Sequence, residues 1–563
     1  MTAEGSRAGR LKKRFPTKSL GKDVPAGLVL GVESVPDGLA GGLLAGVNPI
    51  YGLYGYLFGT MFGALATSSA FMAVQATGAM AVVISDIPEV QGDTPEANTA
   101  LFTVSVMTGV IMLGLGIAKL GGIVKWVPNA VLTGFINAVA INIILGQLDN
   151  FTGYESEGAN RVVRAVDTTL NVASYSWATV AVGVVTVGLI ILLERTRLGA
   201  LGMVVAILLG SAAVEVFSLD TVEQLRDITE IPGSLPAPTL PSLGLVTTLI
   251  VPAVSLAFVG LVQGAAISSS VPNPDGRYPN ASGDFTGQGV ANIASGIFQG
   301  MPVGGSMSAT SIVTNAGARS RVALLVAGLT MMTAILIFSD LVGYIAMPAL
   351  AGLLIVVGFR TLRPDEVRMV WKTGPVQATV MGLTFVLTLI IPLQYAVLVG
   401  IGMSIVLYVA RQSNRVELRR WTRTKDGQVR ETDPPEVLDG GQIVVLRPYG
   451  SLFFAAAPLF EKTLPEVTPA STNSVVVITL RGKEDLGSTF INVLDRYAEQ
   501  LHEVGSTLML AGVSPAIDKQ LRQTGVIDTI GAENVFRASP VLTQSTSDAV
   551  RTAQAWQQHR EGR

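Results

Sequence analysis

From about residue 24 to residue 410, apolar stretches long enough to cross or half-cross a bilayer alternate with short polar breaks. They run near 24–46, 49–67, 72–88, 100–120, 128–148, 177–193, 198–217, 246–270, 288–301, 306–318, 322–339, 341–359, 376–392 and 394–410, fourteen in all. Two are short and polar at their starts: VQATGAMAVVISDI (74–87) and GGSMSATSIVTNAGA (304–318). One is third among the first seven stretches, the other third among the second seven. Short, Gly-interrupted segments at matching places predict an inverted repeat with its binding site between discontinuous helices. Seven crossings per half turn one half over relative to the other. The two short helices then enter from opposite faces, and their N-termini meet near the midplane.

Beyond Arg411 the pattern changes. Strand-like runs (QIVVLRP, SVVVITL, STLMLAG) alternate with amphipathic helical ones (STFINVLDRYAEQLHEVG, SPAIDKQLRQTG, SDAVRTAQAWQQ). The expected order is a tail over 1–22, a transmembrane transport domain over 23–411, a basic linker over 412–439, a small α/β domain over 440–555 and a tail over 556–563. No cleavable signal pattern is read at the N-terminus, because RLKKRFPTKSLGK leads into a segment too polar at its centre.

Composition agrees with a lipid-solvated chain. Charged residues are 14% and apolar ones 49%, against about 25% charged in soluble domains. The net charge of −2 argues against a nucleic-acid partner, and there is no cysteine. The two histidines, His502 and His559, lie far from the apolar region. No cofactor or metal is therefore expected. Lys12, Lys13, Arg14, Lys18 and Lys22 precede the first segment, while Arg411, Arg415, Arg419, Arg420 and Arg423 follow the last. The positive-inside rule puts both ends in the cytoplasm. Lys119/Lys125, Arg195/Arg197, Arg319/Arg321 and Arg360/Arg363 mark internal loops, and the acidic DIPEVQGDTPEAN (86–98) an external one. The expectation is a multi-pass protein of the plasma (inner) membrane.

A helix N-terminus offers unpaired N–H groups and a partial positive charge, so two facing each other bind an anion without a basic side chain. Ala76, Thr77, Gly78 and Ala79 begin one short helix; Ser306, Met307 and Ser308 begin the other. Small and hydroxylic side chains there let a compact oxyanion approach the backbone. The first segment adds ESVPDGLAG (33–41), two acids four residues apart and so on one helix face. Intramembrane acids are costly and normally face a pathway. Beside an anion site, Glu33 and Asp37 need neutralising by a proton or Na⁺, which is a physical basis for symport. Gln263 sits mid-span in the first segment of the second half, where an inverted repeat brings it near Asp37.

PDGLAGGLLAGVNPIYGLYG (36–55) and MPVGGSMSATSIVTNAGARS (301–320) resemble the first- and tenth-helix signatures of the SulP family of anion transporters, and the C-terminal part is similar to a STAS domain. The resemblance implies a polytopic α-helical fold of fourteen transmembrane segments as a 7+7 inverted repeat, shared with nucleobase permeases. It also implies a core moving against a gate, a homodimer, and a cytoplasmic STAS domain. Asp37 replaces the family's usual Gln, Gly41 a bulky residue, Gln263 the eighth-helix acid of cation-coupled members, and Ala309 a frequent Arg. The carboxylate thus moves across the site, and Asp37 takes the coupling role.

The expected function is secondary active transport of a small inorganic anion, sulfate or bicarbonate, coupled to H⁺ or Na⁺. Asp37, Gly41, Ala76, Thr77, Gly78, Ala79, Gln263, Ser306, Met307 and Ser308 would bind the substrate, with Asp37 and Glu33 as coupling residues. The alternatives are an uncoupled chloride or bicarbonate exchanger, a dicarboxylate or nucleobase carrier, and a STAS-linked membrane sensor. An enzyme is not expected, because the membrane part has no nucleophile–base pair, metal cluster or phosphate loop. In the STAS-like part, Ser488 is read as a helix N-cap, with a phosphorylation switch as the weaker reading.

Overall fold

The computed structural model describes residues 19–122, 127–229, 231–392, 416–424, 428–450 and 456–561, with a few single positions between them. The basic tail before Ser19, Lys125, Arg411, Arg415 and most of the segment expected at 394–410 lie outside the described residues. The chain divides into two compact units, 1–403 and 404–563.

Each of the first thirteen expected segments contains a helix. In the first half these are α1 (Leu20–Leu44), α2 (Pro49–Ala66), α3 (Gly78–Ser85), α4 (Pro95–Ile117), α5 (Asn129–Leu145), α6 (Trp177–Glu194) and α7 (Leu201–Val216). In the second they are α8 (Val246–Ser270), α9 (Ala281–Ile297), α10 (Met307–Asn315), α11 (Val322–Ile337), α12 (Met347–Thr361) and α13 (Pro375–Ile390). Among the described residues six helices are long and apolar enough to span a membrane alone. The short α3 and α10 are each preceded by a three-residue strand, β1 (Ala73–Gln75) and β2 (Gly304–Ser306). Helix α1 runs unbroken through Pro25 and Pro36.

Two features differ from expectation. Helix α9 starts at Ala281 rather than 288, because its polar first turns (Asp284, Gln288, Asn292) are buried against protein instead of lipid. The twelfth segment is divided, with Ser339–Gly343 forming a separate short helix before α12.

The membrane helices pack as two bundles. One joins α1 to α2 and α11, α2 to α9, and α9 to α4 and α8; the other joins α5 to α12 and α13, and α6 to α7 and α12. Glycine sets the spacing in the first bundle. A Cβ on Gly109 would stand 2.6 Å from the Gly289 carbonyl, and one on Gly52 2.1 Å from the Gly38 carbonyl. Lipid supplies no hydrophobic drive between helices, so such close backbone approach carries much of their packing. Gly109→Val should therefore destabilise the protein by about 1–3 kcal/mol, read as a lower melting temperature in detergent. An unchanged melting curve would mean that this crossing is not tight.

In the second unit, β3 (Glu417–Arg423), β4 (Val429–Thr432), β5 (Ile443–Tyr449), β6 (Val475–Thr479), β7 (Thr507–Val513) and β8 (Val535–Arg537) form one sheet. Its order is β4-β3-β5-β6-β7-β8, with β5 to β8 parallel and the β3–β4 edge antiparallel. Helices α14 (Ser488–Glu503), α15 (Pro515–Thr524) and α16 (Gln544–Glu561) occupy the expected helical runs. The stretch read as linker contributes β3 and β4. Its alternation is hidden by arginines, of which Arg419 bonds Glu417 and Asp433, while Arg447 from β5 stacks on Trp421 at 4.7 Å. The N-cap of α14 is Gly487, so Ser488 is its first helical residue rather than its cap.

Candidate anion site between two half-helices

Strands β1 and β2 pair antiparallel, Ala73 with Ser306, Val74 with Gly305 and Gln75 with Gly304. Because the ladder is antiparallel, α3 leaves one end and α10 the other, so both N-termini point back at it. Three residue pairs amount to roughly 10 Å of strand. Thr77 caps α3, its hydroxyl accepting from Met80 N at 3.4 Å, and Ser306 caps α10, accepting from Ala309 N at 3.3 Å.

The ladder is held on both sides by buried amides. Gln75 donates through Nε2 to Ser34 of α1 (2.9 Å) and Thr60 of α2 (3.3 Å). Asn292 of α9 clasps Val303 like a neighbouring strand, donating to its carbonyl (2.6 Å) and accepting from its N–H (2.9 Å). Gln288 accepts from Gly305 N at 3.0 Å. These three residues were not anticipated, since an isolated amide in an apolar run reads equally well as helix–helix packing.

Thr77 donates to Gln263 Oε1 at 2.8 Å, which carries α8 against the start of α3. The Gln263 Nε2 group donates to no protein acceptor among the described residues, and Gln263 is partly exposed. Asp37 does not meet Gln263 through a hydrogen bond. Its Oδ2 instead accepts from Tyr56 of α2 at 3.2 Å. A Cβ on Gly41 would rest 3.8 Å from Tyr56 and 4.0 Å from the Ala76 carbonyl, so Gly41 lies between Asp37's partner and the α3 N-terminus. Ala76, Ala79 and Gly41 are buried, Asp37, Thr77, Gly78 and Ser306 partly exposed, and Met307 and Ser308 exposed. Glu33 is buried. Tyr56 is a further unanticipated member; a tyrosine in an apolar helix near an intramembrane acid was the available signal.

The half-helices are anchored at their far ends. Asp23 accepts from Arg319 N (2.6 Å), Ser320 N (3.0 Å) and Ser320 Oγ (2.6 Å) after α10, and Asp284 accepts from Ser68 and Ser69 before β1. At the C-terminus of α3, Asp86 forms an ion pair with Arg161 at 3.2 Å, and Arg161 also bonds Ser85. Arg161 begins the short helix Arg161–Leu170 that joins α5 to α6, so this pair links the two bundles. Asn48, after α1, donates to Thr229 at 2.7 Å on the same side of the fold.

Two short helices thus begin at one buried ladder, with hydroxyls and the Gln263 amide beside it, inside a helical membrane fold. The sequence profile of the sulfate permease family matches residues 20–384 and that of the STAS domain residues 435–540, and the chain belongs to the sulfate permease (SulP) family. It is 25% identical over 554 residues to a probable sulfate transporter of Mycobacterium tuberculosis (strain H37Rv), covering 97% of this chain and 99% of that one. It is 27% identical over 460 residues to the bicarbonate transporter BicA of Picosynechococcus, covering 80% and 81%. Its structure superposes with a TM-score of 0.84 on the murine solute carrier 26 family member A9 anion transporter in the inward-facing state, at 18% identity, covering 97% and 93% of the two chains. The protein is thus a multi-pass membrane transporter of the anion class rather than an enzyme, with a C-terminal STAS domain.

If the Gln263 amide supplies a direct donor to a bound anion, Gln263→Leu removes a hydrogen bond to a charged group, worth about 1.5–3 kcal/mol. The expected result is an anion KM raised roughly tenfold or more, with melting temperature retained. An unchanged KM would take Gln263 out of the site.

Proposed function

We propose that this protein is a secondary active transporter of a small inorganic anion, sulfate or bicarbonate, across the plasma membrane. The anion is held between the N-termini of α3 and α10, and its movement is coupled to H⁺ or Na⁺ through Asp37 with Glu33. The observation that supports this reading is the antiparallel β1–β2 register, by which α3 and α10 begin at opposite ends of one short ladder. Backbone dipoles, the Ser306 hydroxyl and the Gln263 amide suit a compact oxyanion; a nucleobase would ask for side chains shaped to a planar ring. The carboxylate of Asp37 beside such a site calls for a neutralising cation, which favours symport over an uncoupled exchanger. Met307, Ser308, Ala266, Ser269 and Ser270 are exposed. By the positive-inside rule the loops with Arg319, Arg360 and Arg363 are cytoplasmic, and the basic residues flanking the membrane part in sequence favour the same side for both ends of the chain.

Uptake of radiolabelled sulfate and bicarbonate into proteoliposomes, with and without imposed H⁺ and Na⁺ gradients, tests the reading. Uptake of either anion that rises with one gradient supports it; uptake of both that ignores both gradients would replace it with an uncoupled facilitator. Deleting residues after about 430 should leave reduced transport, whereas a sensor would show none in either form.

In the same reading, the bundle of α1, α2, α4, α8, α9 and α11, on which β1 and β2 pack, carries the two half-helices and moves against the other in an elevator-like manner. The Asp86–Arg161 pair then has to part in each cycle. The chain has no cysteine, so Asp86→Cys with Arg161→Cys introduces the only two thiols. Bridging them with a short bifunctional thiol reagent should stop transport, and reduction should restore it. Full transport in the bridged protein would rule out motion between the bundles at this point.

A further inference from the structure

A cleft of about 190 Å³ lies between the two bundles, walled by α1 and α11 from one and by α7 from the other, with residues 338–345 completing the lining. Twelve residues line it, and Thr330 alone among them carries a polar side chain. Its hydroxyl is taken up by the Val326 carbonyl of its own helix, at 2.9 Å. Water stays in a cavity only where it finds two or more polar partners, and this lining has no free side-chain group to offer. A void left empty would forfeit the dispersion contacts of every residue around it. Leu208, Phe338 and Leu341 of the lining are exposed, so the cleft opens to the outside of the helical fold. At that depth the surrounding medium is hydrocarbon.

The 338–345 stretch leads from this apolar cleft to a pair of opposite charges. Leu225 N donates to the Ile345 carbonyl at 2.9 Å, which sets Arg226 over the Tyr344 ring, 4.1 Å from its centre. Arg226 donates to Glu215, in the last turn of α7, at 2.8 Å. Gln224 donates to the same oxygen at 2.9 Å, so Glu215 keeps a donor when Arg226 turns elsewhere. Each charged side chain is 46% exposed. An exposed pair of this kind contributes little to stability, and both members are available to a ligand. Arg195 and Arg197 precede α7 in sequence, so the positive-inside rule puts its far end, with Glu215, at the outer face of the membrane.

We propose that the cleft and its charged rim form a binding site for one phospholipid of the outer leaflet, a phosphatidylethanolamine. An acyl chain lies in the cleft, the phosphate accepts from Arg226, and the ammonium donates to Glu215. A headgroup bearing both charges complements a rim bearing both. Phosphatidylglycerol has no cation for Glu215, and a choline headgroup has the cation without an N–H to donate. The seated chain touches α1 and α11 of one bundle and α7 of the other, so the lipid favours the conformation in which this cleft exists. The inference goes beyond the transport reading above and depends on neither the anion nor the coupling ion.

The test uses the full-length protein in detergent with dioleoyl phosphatidylethanolamine, phosphatidylglycerol or phosphatidylcholine. Native mass spectrometry should show the ethanolamine lipid retained roughly tenfold better than the choline lipid, as one hydrogen bond to a charged group implies. The same lipid should raise the melting temperature most. Arg226→Gln and Glu215→Gln should each bring its retention down to the choline level. Ala334→Phe, which puts a ring into the cleft, should weaken retention of all three lipids. Equal retention of the three by the unmodified protein would overturn the proposal, as would an ethanolamine preference that survives in both rim variants. A second measurement does not depend on a variant folding. A phosphatidylethanolamine with a diazirine in its acyl chain, in phosphatidylcholine vesicles holding the unmodified protein, should label peptides of α7 or of 338–345. Excess unlabelled phosphatidylethanolamine should suppress that label, and excess phosphatidylglycerol should not. Label spread evenly over the lipid-facing helices, or reduced equally by both competitors, would refute the site.

Discussion

Gly41→Phe is expected to abolish anion uptake while the protein still folds. The space at Gly41 accepts a Cβ at ordinary contact distance, 3.8 Å from the Tyr56 ring and 4.0 Å from the Ala76 carbonyl. Gly41→Ala should accordingly transport at close to the normal rate. A phenyl ring extends several ångströms further, into the region before the Thr77 cap where an anion would meet the N–H groups of α3. The ring would displace the anion and leave that end of α3 with no charge to stabilise, and the loss in uptake should be roughly a hundredfold or greater. The control is a melting temperature within a few degrees of normal, because the closest approach of α1 to the α2 backbone is at Gly38 and Gly42, where a Cβ would stand 3.0 and 2.7 Å away, while at Gly41 it meets only the Tyr56 ring of α2 at 3.8 Å. Normal uptake by Gly41→Phe would mean that the anion does not bind at α3.

Asp37→Asn should have the second-largest effect, and its sign is opposite for affinity and for coupling. Asparagine keeps an oxygen that can accept the Tyr56 hydroxyl, now 3.2 Å from Asp37 Oδ2, so local geometry is retained while the charge is lost. An ionised Asp37 repels an anion a few ångströms away by on the order of 2–4 kcal/mol at an effective dielectric constant near 20. Removing that repulsion makes anion affinity independent of the coupling cation, and at alkaline pH or low Na⁺ tighter than normal. The same change disconnects the anion from the cation gradient, so accumulation should fall to equilibration while exchange persists. Anion binding and uptake measured across pH and Na⁺ concentration check both parts. Unaltered cation dependence in Asp37→Asn would move the coupling site elsewhere.

How much of this was legible in the chain depends on the range of the interaction involved. The two half-helices could be read because Gly, Ser and Thr at 76–79 and 304–308 interrupt apolar runs, and that is a local signal. Their matching places among the apolar stretches are the signal from which an inverted repeat was expected. The three-residue strands were too short to carry any alternation of their own. They hold because Gln288 and Asn292 meet the backbone of β2 and of Val303 before it, Gln75 ties β1 to α1 and α2, and the two strands come together from distant parts of the chain, 73–75 with 304–306. Tyr56 was missed for the same reason: its importance comes from Asp37 across a helix crossing. In the STAS domain the buried parallel strands were plain from runs of Val, Ile and Leu. The β3–β4 edge was not, because arginines paired with acids and stacked on Trp421 make a strand look like a basic tether.

An anion seated between the starts of α3 and α10 would shield that spot from small reagents, and thiol protection reads this most directly. Ser308 is exposed at the first turn of α10, and with no native cysteine a Ser308→Cys protein carries a single thiol. Its reaction with a small charged methanethiosulfonate should slow several-fold when the transported anion is present at saturation. A cysteine placed instead at Ser270, at the end of α8, should react at an unchanged rate. Equal modification rates for Ser308→Cys with and without every anion the protein transports would contradict the account.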